Sequence, residues 1–234
     1  MLVYLDPGHG GVDHGTSGTD LHGHVIDEKN VTLEIARQTA KRLENDGIGV
    51  ALSRWDDSTP DAIASDFTGD GALFTPEGVL HDLQHRVDRA NASGAQVLLS
   101  IHLNAFTDPS IGGSETFYDV ARPFADQNER FARLIQTSVI SSLQSRGISV
   151  VDRGIADDAS LDGENLGALG FPYNHLILLG PPVEGKLRAS QMPGALSEPL
   201  FLSNPAEATA AGQPDVLAAL ANGYADAIEQ YLRG

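Results

Sequence analysis

The 234-residue chain contains no cysteine. That removes disulfide frameworks, thiol nucleophiles and thiolate metal ligands together, so any metal must be held by His, Asp or Glu. Positive charge is also scarce: 15 Lys and Arg stand against 32 Asp and Glu, a formal charge of −17. Phosphate recognition needs clustered Lys and Arg, so this balance excludes nucleic acid as the ligand and argues against an anionic membrane surface. No apolar run approaches the ~18 residues that a bilayer span requires. The N-terminal Met1–Leu5 run lacks a basic flank and is too short for a signal peptide, which leaves a cytoplasmic protein or an exported one whose leader is not part of this chain. What is present is an ordinary hydrophobic fraction of 41%, enough for one packed core.

Apolar patterning alternates between strands and helices. Leu2–Leu5 reads as a buried strand stopped by Asp6-Pro7-Gly8, and Gly49–Leu52 as a second strand. Val97–Ile101 is continuous and apolar with β-branched ends, the strongest buried-strand signal in the chain. Ser114–Tyr118, Leu176–Leu179 and Ala195–Leu202 are further strand-like runs. Helical spacing links Val31, Ile35, Ala36, Ala40 and Leu43 up to the stop at Asn45-Asp46-Gly47, and a short helix carries Leu83, Val87 and Ala90. A long helix runs from Phe131 through Leu143 to Gly147, and a last one holds Leu217, Leu220, Tyr224, Ile228 and Tyr231. Residues 6–30, 56–80 and 152–175 read as loops. The expectation is a single α/β domain with a mostly parallel or mixed central sheet and helices on both faces.

Sites in open α/β sheets form beyond the carboxyl ends of strands. His9 follows the first strand, His102 follows the strongest one, and Glu198 sits in the run Ala195–Leu202; Glu28 precedes the first helix. Two His and one carboxylate are the ligand set of a catalytic zinc with an open position, and a further carboxylate can move protons. Taken singly, each has a plainer reading: a solvated His, a carboxylate at a helix N-terminus, a satisfied buried Glu. A serine-hydrolase reading of the His-Gly-Gly string fails for want of a Gly-x-Ser-x-Gly elbow.

Taken in order, these segments resemble the zinc-dependent N-acetylmuramoyl-L-alanine amidases of the amidase type 3 family, which are peptidoglycan hydrolases. The resemblance rests on Val3–Gly11, Glu28-Lys29-Asn30-Val31, Ser53-Arg54 with Asp57, Leu83–Arg86 with Ala90-Asn91, Ser100–Ala105, Gly113–Tyr118 with Asp152-Arg153-Gly154, and Glu198 before Phe201–Pro205. It covers nearly the whole chain. It implies one Zn²⁺ held by His9, Glu28 and His102, with Glu198 as the catalytic carboxylate. The implied substrate is peptidoglycan or muropeptides, cut between N-acetylmuramic acid and L-alanine. The implied setting is extracytoplasmic, in periplasm, cell wall or medium, or else that of a phage lysin; a monomer is expected. A wall-binding homologue without activity and a zinc peptidase of another stem-peptide amide are the alternatives.

Three further residues are expected near the site. Asp6 either holds the free nitrogen of a ligand imidazole or caps the loop. Asn104 either contacts substrate or ties down the loop after its strand. Arg86 either meets the peptide carboxylate or forms a structural ion pair with Asp57, the second being favoured. The sequence departs from the family pattern in extra residues at about 60–79 and about 155–192, expected to cover or shape the cleft. It departs also in Pro199 beside Glu198, which calls for an edge, bulge or bend. The remaining histidines, 14, 22, 24, 81, 85 and 175, read as non-ligands, with His175 a candidate for the cleft wall.

Overall fold

A computed structural model describes residues 1–161 and 173–234. The described residues build eight strands, β1 (Leu2–Pro7), β2 (Ser17–Thr19), β3 (Val25–Asp27), β4 (Gly49–Leu52), β5 (Leu98–Ile101), β6 (Ser114–Tyr118), β7 (Asp152–Asp157) and β8 (Gly194–Glu198). Its helices are α1 (Glu28–Asn45), α2 (Pro76–Ser93), α3 (Ala125–Ser145), α4 (Pro205–Ala211) and α5 (Pro214–Arg233). Six strands form one sheet in the order β4-β1-β5-β8-β6-β7, while β2 and β3 pair as a separate hairpin.

The sheet is mixed. β4, β1, β5 and β8 run parallel, and β6 lies antiparallel to β8 and carries β7 parallel beside it. Strand alternation sends Val3, Leu5, Leu99, Ile101 and Ala195 to one face, where α1, α3 and α5 supply Ile35, Phe131, Ile135 and Tyr224. Tyr4, Leu98, Phe117 and Leu196 face the other way, against Ala90 of α2 and Leu179 and Met192 of the 173–192 segment. Helices on both faces of one mixed sheet are the architecture expected from the alternation of strand and helix patterns.

Several boundaries differ from expectation. The helix carrying Leu83 begins at Pro76, because the Thr75 side chain accepts the Gly78 N–H and Pro76 starts the first turn; residues 76–79 are therefore helix rather than loop. Asp152–Asp157, expected as loop, is the edge strand β7. Its charges and Gly154 hide a strand that needs no alternating apolar face. Leu176–Leu179, expected as a strand, is a tight turn closed by N–H bonds from Leu179 and Gly180 to the Leu176 carbonyl. Its apolar residues pack with Val87, Tyr173 and Leu187. Pro199 follows the end of β8, so the lost donor falls outside the ladder; β8 itself is central, between β5 and β8's other neighbour β6. Part of the stretch expected as an insertion at about 155–192 lies outside the described residues.

A buried polar layer under the sheet's carboxyl end fixes the first loop. Arg86 reaches from α2 to Asp6 (2.8 Å), Asp82 (2.7 Å) and the carbonyls of Pro7 (3.0 Å) and His9 (2.8 Å). Arg54, also buried, donates to the carbonyls of Pro7, Gly8 and Lys29. Asp57 pairs instead with Lys29 (2.9 Å) and the Gly11 N–H (2.7 Å), so the ion-pair partners of Arg86 are Asp6 and Asp82 rather than Asp57. Against the pull of burial, the Arg86 guanidinium with the Ser100 hydroxyl holds the Asp6 carboxyl below the usual carboxylate range. A depressed folded-state value adds stability above the unfolded value of about 3.9, which is lost as pH falls through the folded one. Replacing Asp6 with Asn leaves Arg86 short of a buried counter-charge. It is expected to cost about 3 kcal/mol in urea or thermal unfolding at neutral pH, with the difference from wild type shrinking in acid.

Candidate metal centre

β1, β5 and β8 are adjacent and parallel, so their carboxyl ends meet at one edge of the sheet. His9 leaves β1, His102 leaves β5, and Glu198 ends β8; the His102 N–H donates to the Ser197 carbonyl at 2.9 Å, which places Glu198 next to His102 across the strands. Glu28 arrives from another direction, as the first residue of α1. The structure brings His9, Glu28 and His102 together: one ligand atom from each lies within 4.8 Å of the others.

The three side chains converge. His9 Nε2 lies 3.2 Å from both His102 Nδ1 and Glu28 Oε1, and His102 Nδ1 lies 3.0 Å from the same oxygen. Glu28 is buried and fixed by the N–H groups of Thr16 on Oε2 and Leu103 on Oε1, both at 2.8 Å. Two glycines make room. A Cβ on Gly8 would sit 2.3 Å from the His102 ring, and one on Gly15, at φ +65°, would sit 2.5 Å from Glu28 Oε2 and 2.6 Å from His9 Cδ2. His9 itself has φ +63°, a strained conformation for a residue with a Cβ, held by the Arg86 bond to its carbonyl. A chain that strains its backbone and removes two Cβ atoms to face three donors at one point has built a cradle for a cation.

The far nitrogen of His9 is held by Asp13, not by Asp6. His9 Nδ1 lies 2.8 Å from Asp13 Oδ2, and Asp13 Oδ1 accepts the Gly15 N–H. Asp6, expected either to orient an imidazole or to cap the loop, gives its oxygens to Arg86 and Ser100. Although burial opposes it, the Asp13 and Glu28 hydrogen bonds push the His9 imidazole up to about 9, and the two imidazoles in turn hold Glu28 well below its ordinary value.

On the β8 side, the Asn104 amide donates to Glu198 and to Glu115 Oε1 (2.6 Å). Glu115, at the start of β6 and opposite Glu198 in register, also pairs with Arg153 at 3.1 Å. Sequence reading singled out neither Asp13 nor Glu115. The four-residue spacing from His9 was visible for Asp13, whereas Glu115 is brought in only by the antiparallel turn of β6. A cleft of about 110 Å³ opens beside the cluster, lined by His9, Asp13, His102 and Arg86 and, from the 60–79 segment, Phe74 and Val79. Of the other histidines, His14, His24, His81 and His85 pair with nearby carboxylates, and His175 lies away from this cleft.

The sequence profile of the N-acetylmuramoyl-L-alanine amidases matches residues 3–230. The chain is 31% identical to the amidase AmiC of Neisseria meningitidis, over 99% of this chain and 52% of that protein. It is 32% identical to the germination-specific N-acetylmuramoyl-L-alanine amidase of Bacillus subtilis, over 91% of this chain and 72% of that one. The chain thus spans about half the length of the first relative and most of the second. Among solved structures, an N-acetylmuramoyl-L-alanine amidase from Clostridium difficile 630 superposes with a TM-score of 0.68 at 28% identity, covering 100% of this chain and 97% of that one.

Proposed function

Because the chain belongs to the N-acetylmuramoyl-L-alanine amidase family, we propose that it hydrolyses the amide joining the lactyl group of N-acetylmuramic acid to L-alanine in peptidoglycan, with His9, Glu28 and His102 holding one Zn²⁺. The observation that carries the reading is the convergence of two imidazole nitrogens and one carboxylate oxygen within 4.8 Å at the carboxyl ends of β1 and β5. Two nitrogens and one oxygen suit zinc, and three protein ligands leave the open position of a catalytic rather than a structural site. When bound, the ion supplies Lewis acidity, lowering the pKa of water toward ~7 and polarising the scissile carbonyl.

The chain's own residues do the rest. Glu198 takes the proton from the attacking water and returns it to the departing alanine amine, which would otherwise be a poor leaving group. Asn104 is a positioning residue: its amide points the Glu198 carboxylate while Glu115 and Arg153 brace it from the β6 side. Asp13 fixes the tautomer that leaves His9 Nε2 free as a ligand. Exchange of Asp13 for Asn is expected to weaken zinc affinity about 10- to 100-fold, read by competition with a chromogenic chelator; an unchanged affinity would remove Asp13 from the account.

Phe74 and Val79 place the 60–79 segment in the cleft wall, and we assign that segment to substrate selection. Phe74→Ala is expected to raise KM for muropeptides with kcat little changed, the pattern of lost uniform binding; no change in either constant would mean the segment only covers the fold. The substrate lies outside the cytoplasmic membrane, so the protein works there, exported or released by lysis. Among the described residues no helix is long and apolar enough to cross a membrane. The function is tested by digesting defined muropeptides and weighing the products. Release of intact stem peptides with free L-alanine amino groups, abolished by chelator and restored by zinc, is expected. Cleavage inside the stem would indicate a peptidase, and binding without cleavage a wall-binding module.

A further inference from the structure

β6 and β7 run opposite to β8, so their carboxyl ends lie at the other end of the sheet from the His9 cluster. β8 alone separates the two ends by five residues, roughly 15 Å of strand. At that far end a second group converges. Asp119 follows β6, Asp158 follows β7, and His175 comes from the 173–192 segment that covers this face. His175 Nδ1 lies 2.8 Å from Asp119 Oδ2 and 3.0 Å from Asp158 Oδ1, and all three ligand atoms lie within 4.8 Å of one another.

Both carboxylates are fully buried. Asp158 Oδ2 accepts the Leu176 N–H at 2.8 Å, and the His175 ring bonds Asp158 Oδ1. Among the described residues neither oxygen of Asp119 has a well-aligned hydrogen-bond donor, although Oδ2 sits against the His175 nitrogen. The Arg122 guanidinium, although it feels the Asp119 charge, donates its hydrogen bonds to the carbonyls of Leu179, Gly180 and Ser190. Two buried carboxylates thus share one half-buried imidazole, and among the described residues Asp119 Oδ1 has no donor. One imidazole cannot match the charge of two buried carboxylates, and burial makes the surplus negative charge costly unless a cation meets it.

We propose that Asp119, Asp158 and His175 form a second divalent-cation site, distinct from the His9 cluster, that takes zinc or a similar transition metal. The imidazole nitrogen selects such ions over Ca²⁺ and Mg²⁺, which prefer all-oxygen shells. The ion clamps the carboxyl ends of β6 and β7 to the turn at Leu176–Gly180, so its role is to anchor the covering segment. The site stands independently of the proposed catalysis, because its residues and its strand ends are separate.

Zinc bound per chain is measured by mass spectrometry of the metal after dialysis against a slight excess, for the wild type and for Asp119→Asn, His175→Gln and His102→Ala. Two zinc per chain are expected in the wild type and one in each variant. His175→Gln keeps the test valid if Asp119→Asn fails to fold, since His175 is only partly buried. Zinc is also expected to raise Tm less in His175→Gln than in the wild type. Equal zinc content in the wild type, Asp119→Asn and His175→Gln would overturn the site, leaving an imidazolium between two carboxylates. Loss of zinc in those two with none lost in His102→Ala would sustain it while undoing the catalytic reading.

Discussion

Glu198→Gln is expected to lower kcat on muropeptides by about 100- to 10,000-fold, the range for removing a positioned general acid–base, while zinc content stays at the wild-type level. Gln keeps the shape of the side chain and can accept a hydrogen bond from Asn104, but it cannot take a proton from water or give one to the leaving amine. The geometry separates this role from metal binding. Glu198 ends β8 and turns toward Asn104 and Glu115, whereas the three converging donors come from the loop after β1, the start of α1 and the end of β5. KM is expected to change little, since a group that acts on protons in the transition state contributes little to ground-state binding. If zinc were lost together with activity, Glu198 would be a ligand. If activity persisted, the proton carrier would have to be another group, with Glu115 the nearest carboxylate on the same amide.

His102→Ala is expected to remove activity altogether and one equivalent of zinc with it, and added zinc is not expected to restore turnover. The ring is held face-on against Gly8 and aims Nδ1 at Glu28 Oε1. Its loss leaves one imidazole and one carboxylate, too few donors to hold zinc against solvent. It also leaves Glu28, buried and charged, with His9 as its remaining imidazole partner. The variant is therefore expected to lose zinc-dependent stabilisation from this site as well; a ligand at a hundredfold its Kd contributes about 2.7 kcal/mol. Thermal unfolding with and without zinc separates this outcome from simple misfolding, because a folded variant keeps a cooperative transition.

The reason His9, Glu28, His102 and Glu198 stand out as candidates in the sequence is topological. Each marks the point where a buried apolar run or a helix start meets a polar loop, and parallel strands put such points at one edge. What escaped was set by geometry that spacing does not encode. Asp13 meets His9 across a loop in which His9 adopts φ +63°, a conformation that spacing does not announce. Arg86 was assigned to Asp57, yet α2 lies over β1, where Asp6 is the buried partner, while Asp57 is claimed by Lys29. β7 was invisible because an edge strand tolerates charge and glycine, and Leu176–Leu179 looked like a strand because a buried turn is just as apolar. His175 was expected near the cleft, but the reversal of β6 and β7 carries it to the opposite end of the sheet.

Anomalous diffraction at the zinc edge from crystals of the zinc-loaded protein tests the central claim most directly. A peak bonded to His9 Nε2, His102 Nδ1 and the Glu28 carboxylate, at about 2.0–2.2 Å from each, is the expected result. A map with no peak among those three side chains in a protein that still cleaves muropeptides would contradict it.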